Sequence, residues 1–426
     1  MATFSISDAS SILKNVYLPP VREVLNNATP LLKYIEKETQ DMGGGTSFII
    51  PLHTGRNDAA GDGAAENATL ATAGKQTFNK TTTAPKYLYS RLSVSGPVIA
   101  ATKSNKGAFL KALESEMKYL MQDTKRAFNR QLHSDGTDVL GYYVSGTGTT
   151  TGVMDDGLGN RFDHLNKTTL VDLLDVSASY AELNADLTLT RGSLVSTGRQ
   201  FTTSATISAS ASAAAGAQDI FVKANTWGNQ MMGIAGIISP SNPNSTLYSS
   251  GLQGLTISSE PDWASQVIYA DGGSSELTTS TSRVDISFEA LQDLGTAIST
   301  GSDFDETDIN LYMSSPGLKN KYVNLCRNER VFFNNMKLDG GFSAVSYNGK
   351  PWVWDPQCRK NRVYAINFDS LVLMRLADLD WIDVGGDVLY RISGGDKDAV
   401  GATLFVYQEL AAKVRNANGV ILNLSE

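Results

Sequence analysis

The 426-residue sequence predicts an α+β fold in which helices and strands are segregated along the chain rather than strictly alternating. Three observations carry this. One long stretch repeats its apolar residues at the helical period. Many shorter runs alternate apolar with polar residues at period two. The composition, 41% hydrophobic and 19% charged with much Ser, Thr, Ala, Asn and Gly, suits extended structure and long loops better than helical enzyme cores. At about 100 to 200 residues per domain, the length accommodates two or three compact units.

Charge narrows the function classes. The net charge is -8 and no block of Lys or Arg stands out, so a sequence-independent grip on phosphate backbones is not the expected main task. The opening MATFSISDASSILKNVYLPP has no basic segment followed by an apolar run, and no stretch reaches the ~20 apolar residues of a membrane helix. Synthesis in the cytoplasm and no membrane contact are expected. Cys326 and Cys358 are the two cysteines, without a CxxC, which points to buried thiols rather than a zinc ribbon or disulfide scaffold.

Taken in order, residues 1–42 hold scattered apolar positions broken by Pro19, Pro20 and Pro30, an arm that needs a surface to lie on. GGGTSFIIPLHTGRN (43–57) and PKYLYSRLSVSGPVI (85–99) read as two strands flanking a polar excursion from Asp58 to Thr83, together a protruding ribbon. From Ser104, Leu110, Leu113, Met117, Leu120, Met121, Phe128 and Leu132 line one face of a long helix that Ser104 can cap. The run FNRQLHSDGT reads as its terminator: Arg126, Arg130 and His133 complement the dipole, and Asp135-Gly136 stops the helix.

Between about 141 and 232 the chain reads as an inserted, mostly β module. A short helix is expected over TLVDLLDVSASYAEL, and Leu187, Leu189, Ile207, Ile220 and Phe221 form a small core. A second helix begins after Ser287 as cap, DINLYMSS is a strand, and Pro316 opens a third helix. SYNGKPWVW and TLFVYQELAAKVRNANGVILNL both read as strands around Asn-Gly turns.

Four stretches in this order carry a family resemblance: AENATLATAG (65–74), FNRQLHSDGT (128–137), SYNGKPWVWDPQCRKNRVYAINFDSLVLM (346–374) and QELAAKVRNANGVILNL (408–424). Together they resemble the major capsid proteins of tailed bacteriophages, whose fold recurs in encapsulins and in the floor domain of herpesvirus capsids. The resemblance implies an N-terminal arm (1–42), an extended β-ribbon loop (43–103), a spine helix of the peripheral domain (104–140), the inserted β-rich module (141–232), a connection back to the core (233–285), an axial domain (286–375) and C-terminal strands completing both domains (376–426).

The implied function is self-assembly through hexamers and pentamers into an icosahedral shell enclosing double-stranded DNA without sequence-specific contact. Its implied location is the virion, with scaffolding, portal and decoration proteins as further partners. The alternatives are an encapsulin-like compartment shell, a tail or fibre component, and a carbohydrate-cleaving enzyme, for which no paired acidic motif is visible.

No catalytic, cofactor or metal set is assigned. His53, His133 and His164 are too few and too scattered for a triad or a multi-histidine site, and His133 with Asp135 and Asp138 reads as a helix terminus. Asp303, Asp305, Glu306 and Asp308 lack the Gly and distal Glu of a calcium loop and read as a solvated cap, and GGGTS (43–47) lacks the Lys of a phosphate loop. Some members of the family weld their shells through a ribbon lysine. Lys75, Lys80 and Lys86 are the ribbon lysines here, and solvated charges are the simpler reading of them.

Overall fold

The computed structural model describes residues 30–35, 39–41, 45–57, 59, 72–102, 112–155, 167–192, 200–209, 219–241, 244, 246–277, 283–328, 335–337, 343–383, 388–391 and 398–426. The chain divides into two compact units. Among the described residues, the smaller draws on Tyr89–Thr124 and Trp381–Leu404, and the larger on the stretches up to Leu88, Lys125–Asp380 and Phe405–Glu426.

Within the smaller unit, the strand Tyr390–Arg391 pairs antiparallel with Val400 and Gly401, and the Tyr390 hydroxyl lies 2.7 Å from the Thr403 hydroxyl. The helix Gly96–Thr102 starts where the Gly96 N–H donates to the Asp398 carbonyl at 2.8 Å. Its first four residues, GPVI, were expected to end the ribbon strand. In the long helix Ala112–Leu132, Thr124 donates to Ser90 at 2.8 Å. Ser104 and Leu110 lie outside the described residues.

The larger unit is built on a seven-stranded sheet in the order Gln266–Tyr269, Gly419–Leu422, Val363–Ile366, Leu311–Ser314, Lys350–Trp354, Ser343–Tyr347 and Asn335–Lys337. Alternate residues of a strand face opposite ways, so this sheet serves two cores. Tyr312, Trp352, Val363 and Ile421 meet Leu291, Leu294 and Ile298 of helix Phe288–Gly301 and Leu318 and Tyr322 of helix Pro316–Asn328. Leu311, Met313, Tyr364, Ile366, Val420 and Leu422 join a cluster with Leu31, Ile35, Phe128, Leu132 and Ile234. Local signals hold well here. The Ser287 hydroxyl accepts from the Ala290 N–H at 3.1 Å, Pro316 is the first helical residue, and Asn348 and Gly349 turn with φ of 46° and 74°.

Residues Val139–Lys223 close a six-stranded barrel, in which Ile220–Lys223 pairs with both Val139–Ser145 and Thr168–Asp175. All five expected core residues are buried: Leu187, Leu189, Ile207 and Phe221 share the barrel core with Phe201, Leu140, Met154, Val171 and Leu173, whereas Ile220 packs in a separate cluster with Leu174 and Val222. The helix expected over TLVDLLDVSASYAEL is a hairpin instead: Thr168–Asp175 pairs with Ala181–Arg191. Alternation decides it, since Val171 and Leu173 enter the barrel core while Asp172 accepts from the Asp186 N–H at 2.9 Å and the Asn225 N–H at 2.8 Å. The intervening turn is held by the Asp175 carboxylate, which accepts from the Ser177 N–H at 2.8 Å.

Two further expectations are corrected. The partner of Phe48–Gly55 is Thr77–Thr83, within the stretch read as polar excursion, whereas Lys86–Ser95 pairs with the strand Ala399–Ala412. The final Asn-Gly makes no hairpin: Ala399–Ala412 and Gly419–Leu422 belong to different sheets. Asn418, fully buried, donates to the Ser370 hydroxyl at 2.6 Å and accepts from the Asn367 N–H at 2.9 Å, so its side chain fastens the crossing rather than shaping a turn.

Candidate functional site

Two features stand out, both in the larger unit: a buried polar knot at the end of the long helix and the uncovered face of the ribbon.

The knot shows what the polar run FNRQLHSDGT is for. The helix does end at Leu132, and Gly136 adopts a φ of 82° where a Cβ would meet the Tyr248 hydroxyl at 2.2 Å, so glycine is required there. Yet the polar side chains are turned inward. His133 Nε2 stands 3.0 Å from Asp355 Oδ2, with both side chains 1% exposed or less. Asn129 Nδ2 donates to Asp355 Oδ2 at 3.0 Å and to Gln357 Oε1 at 3.2 Å, while Asn129 Oδ1 accepts from the Leu32 N–H at 3.3 Å. Arg359 donates to Asp135 at 2.8 Å, and Arg130 to Asp138 at 3.3 Å.

Burial pushes the Asp355 carboxyl upward, but the charge and hydrogen bond of His133, with the Asn129 amide and the Gln357 N–H, outweigh it and hold the group below the ordinary aspartate range. Burial likewise disfavours the Arg359 charge, and Asp135 more than restores it. Breaking one partner of such a set leaves the other charged and buried, which costs about 3 to 5 kcal/mol. The knot is a fastening. At 1% exposure the His133 imidazole offers a substrate no access, and it joins helix, turn and the 355–359 segment. Only the helix stop was legible in the sequence; the partners at 355–359 lie more than 220 residues away.

The ribbon runs antiparallel from the Phe48↔Thr83 pair to Gly55↔Thr77. On its inner face Phe48 and Ile50 pack against Val372, Met374 and Ala411, and at the free edge of the second strand the Thr82 N–H donates to the Gln253 carbonyl at 2.9 Å. On its outer face Ile49, Pro51, His53, Phe78, Lys80 and Thr82 are all exposed, Ile49 at 52% and Phe78 at 69%. Register places Phe78 opposite His53, whose ring lies 5.2 Å away and whose Nε2 is 2.6 Å from Gln76 Oε1. This face sets the apolar Ile49, Pro51 and Phe78 among the polar His53, Lys80 and Thr82, and has no occupant among the described residues.

The remaining residues singled out in the sequence are not gathered with these. Lys75 and Lys80 are exposed, and Lys86 Nζ donates to the Gly228 carbonyl at 2.8 Å. Asp305 and Asp308 form a reciprocal capping box around the turn Glu306–Asp308, and exposed Asp303 lies 3.7 Å from Arg56. Gly45 has a φ of 100°, as a hinge glycine does. Cys326 and Cys358 are buried free thiols. His164 lies outside the described residues. Among the described residues no group of three His, Cys, Asp or Glu side chains is arranged to hold a metal ion, and no helix is long and apolar enough to cross a membrane.

No family model matches the chain, and neither does any curated protein. Solved structures do match. The capsid asymmetric unit of cyanophage A-1(L) covers 98% of this chain and 98% of its own at 11% identity with a TM-score of 0.56. The SrpI encapsulin complex of Synechococcus elongatus PCC 7942 covers 100% and 97% at 9% identity with a TM-score of 0.49. A structure from Mycobacterium phage Bobi covers 99% and 99% at 10% identity with a TM-score of 0.47. The cyanophage likeness defines the class: the chain has a capsid fold, as the four stretches led one to expect.

Proposed function

We propose that this protein is the major subunit of an icosahedral shell, assembling through hexamers and pentamers to enclose double-stranded DNA in a virion. The agreement of fold over 98% of the chain with the capsid asymmetric unit of cyanophage A-1(L) carries this reading. The uncovered ribbon face supports it. Burying the rest of Ile49 or Phe78 is worth about 1 to 2 kcal/mol each, a modest gain that symmetry repeats at every copy. In this reading 43–103 is the extended loop that reaches a neighbour, 104–140 the spine, 286–375 the axial domain, and the barrel in 141–232 a module that braces or decorates the shell. Scaffolding, portal and decoration proteins are the further partners. The net charge of -8 repels the enclosed genome rather than condensing it, which keeps the DNA mobile.

Negative-stain microscopy of the purified full-length chain tests this. Closed shells or six-fold rings are expected, and a chain that stays monomeric at high concentration overturns the reading. Nuclease-protected double-stranded DNA inside native particles separates a genome container from a protein-filled compartment.

A further inference from the structure

A cavity of about 260 Å³ lies under the base of the ribbon, between Thr82–Lys86, the loop 247–254 and Glu409–Leu410. At ~30 Å³ per water it has room for roughly eight waters, enough for a small organic molecule. Its walls are mixed: Met232, Leu247, Leu252 and Leu410 give apolar surface, and Tyr248 and Ser250 stand among them. The group that matters is Glu409, which is 5% exposed. Its Oε1 accepts the Met232 N–H at 2.6 Å and the Leu410 N–H at 3.2 Å. Its Oε2 receives no hydrogen bond among the described residues and is left to the cavity that Glu409 lines.

A carboxyl whose burial outweighs the charges around it keeps its proton, and any cation that can reach it competes with that proton. Two titratable groups face Glu409 from neighbouring elements. Lys86 Nζ donates to the Gly228 carbonyl at 2.8 Å, and its charge draws the Glu409 carboxyl down by less than burial raises it. The Tyr248 phenol is held neutral, pushed upward by burial and then by the charges of Glu409 and Asp135. The loop itself is fixed through Gln253, whose Oε1 accepts the Ala412 N–H at 3.3 Å and whose Nε2 donates to Thr83 at 2.8 Å.

We propose that this cavity binds a small aliphatic amine, its ammonium group taking the place of the proton at Glu409 Oε2 and its methylenes lying against Met232, Leu247 and Leu252. No covalent bond changes; the displaced proton passes to solvent. Burial pushes the Glu409 carboxyl up to about 8, more than Met232, Lys86 and Leu410 draw it down, so near neutral pH binding releases close to one proton. Affinity therefore rises about tenfold per pH unit below that value. It levels off above it, until the amine itself loses its proton near ~10.

The experiment is isothermal titration of the full-length chain, as soluble subunit or assembled particle, with n-butylamine and with putrescine. Two buffers of different ionisation enthalpy count the protons released. Binding that releases a proton, strengthens as pH rises from 6 to 8, and weakens at least tenfold with loss of the pH slope in Glu409→Gln supports the site. Glutamine keeps an acceptor for both N–H groups, so folding is retained. Absence of binding, or binding indifferent to pH and to Glu409→Gln, overturns it. Neither result bears on whether the chain forms shells, which microscopy reads separately.

Discussion

The barrel and the ribbon are both β-excursions of polar sequence, yet they end in opposite states. The barrel closes on itself, and Phe221, Leu189, Val171 and Ile207 are fully buried in its interior. The ribbon has two strands and one supported face, and leaves Phe78 69% exposed. Six strands can surround a core and abolish their edges; two cannot, and must borrow the missing surface. Self-sufficiency here depends on strand number and closure, since Ser and Thr abound in both segments.

The widest contrast comes from polar substitution of exposed apolar residues in each region. Ile49→Ser with Phe78→Ser is expected to abolish shell formation while leaving the melting temperature of the subunit unchanged. Val144→Ser with Leu170→Ser on the barrel, at residues 45% and 50% exposed, is expected to change stability by no more than about 0.5 kcal/mol and to leave assembly intact. Microscopy and calorimetry on both variants check this, and equal behaviour would erase the distinction between the regions.

Next in size is the barrel interior. Phe221→Ala removes a fully buried ring that stands edge-on to Phe201 at 5.2 Å, and is expected to cost about 3 to 5 kcal/mol. The loss should stay local: hydrogen exchange should accelerate across 139–145 and 168–175 but not across 363–366. Acceleration everywhere would show that the barrel has no stability of its own.

The smallest effect is expected from acid. Because the folded-state Asp355 titrates below its unfolded value, the stability it contributes is present above the ordinary aspartate range and is lost as pH falls below it. The knot should therefore loosen below about pH 4. The barrel, whose core is apolar, should hold longer. Circular dichroism at stepped pH checks this, and Asp355→Asn should flatten the acid transition.

What the sequence made legible was local or periodic. Ser287, Pro316 and Asn348-Gly349 act within three or four residues, and the barrel core followed from residues alternating along single strands. The helix expected at 169–183 fails because Leu170, Val171, Leu173 and Leu174 satisfy two periods at once. The choice falls to pairing partners at 181–191 and 220–223 that no local window contains. Met121, assigned to the apolar stripe, is 37% exposed, while polar Thr124 and Asn129 are buried, because the surfaces against that helix offer hydrogen-bonding groups. The knot escaped notice for the same reason: His133 and Asp135 read as a terminus until residues 355–359 are placed beside them.

The hydrogen bond between Asp138, where the chain enters the barrel, and the Thr226 hydroxyl, just past its last strand, spans 3.3 Å across 88 positions of sequence. Seen from the rest of the molecule, a barrel that folds early is a short circuit. It removes those 88 positions from the 226 that separate Asn129 and Asp355, which must meet to tie the knot. Doubling a loop costs only ~0.6 kcal/mol of closure entropy, and this detour less than doubles the path, so its burden on the search for native contacts is smaller still. The size of what is carried between Asp138 and Thr226 is thus nearly invisible to the folding of everything else.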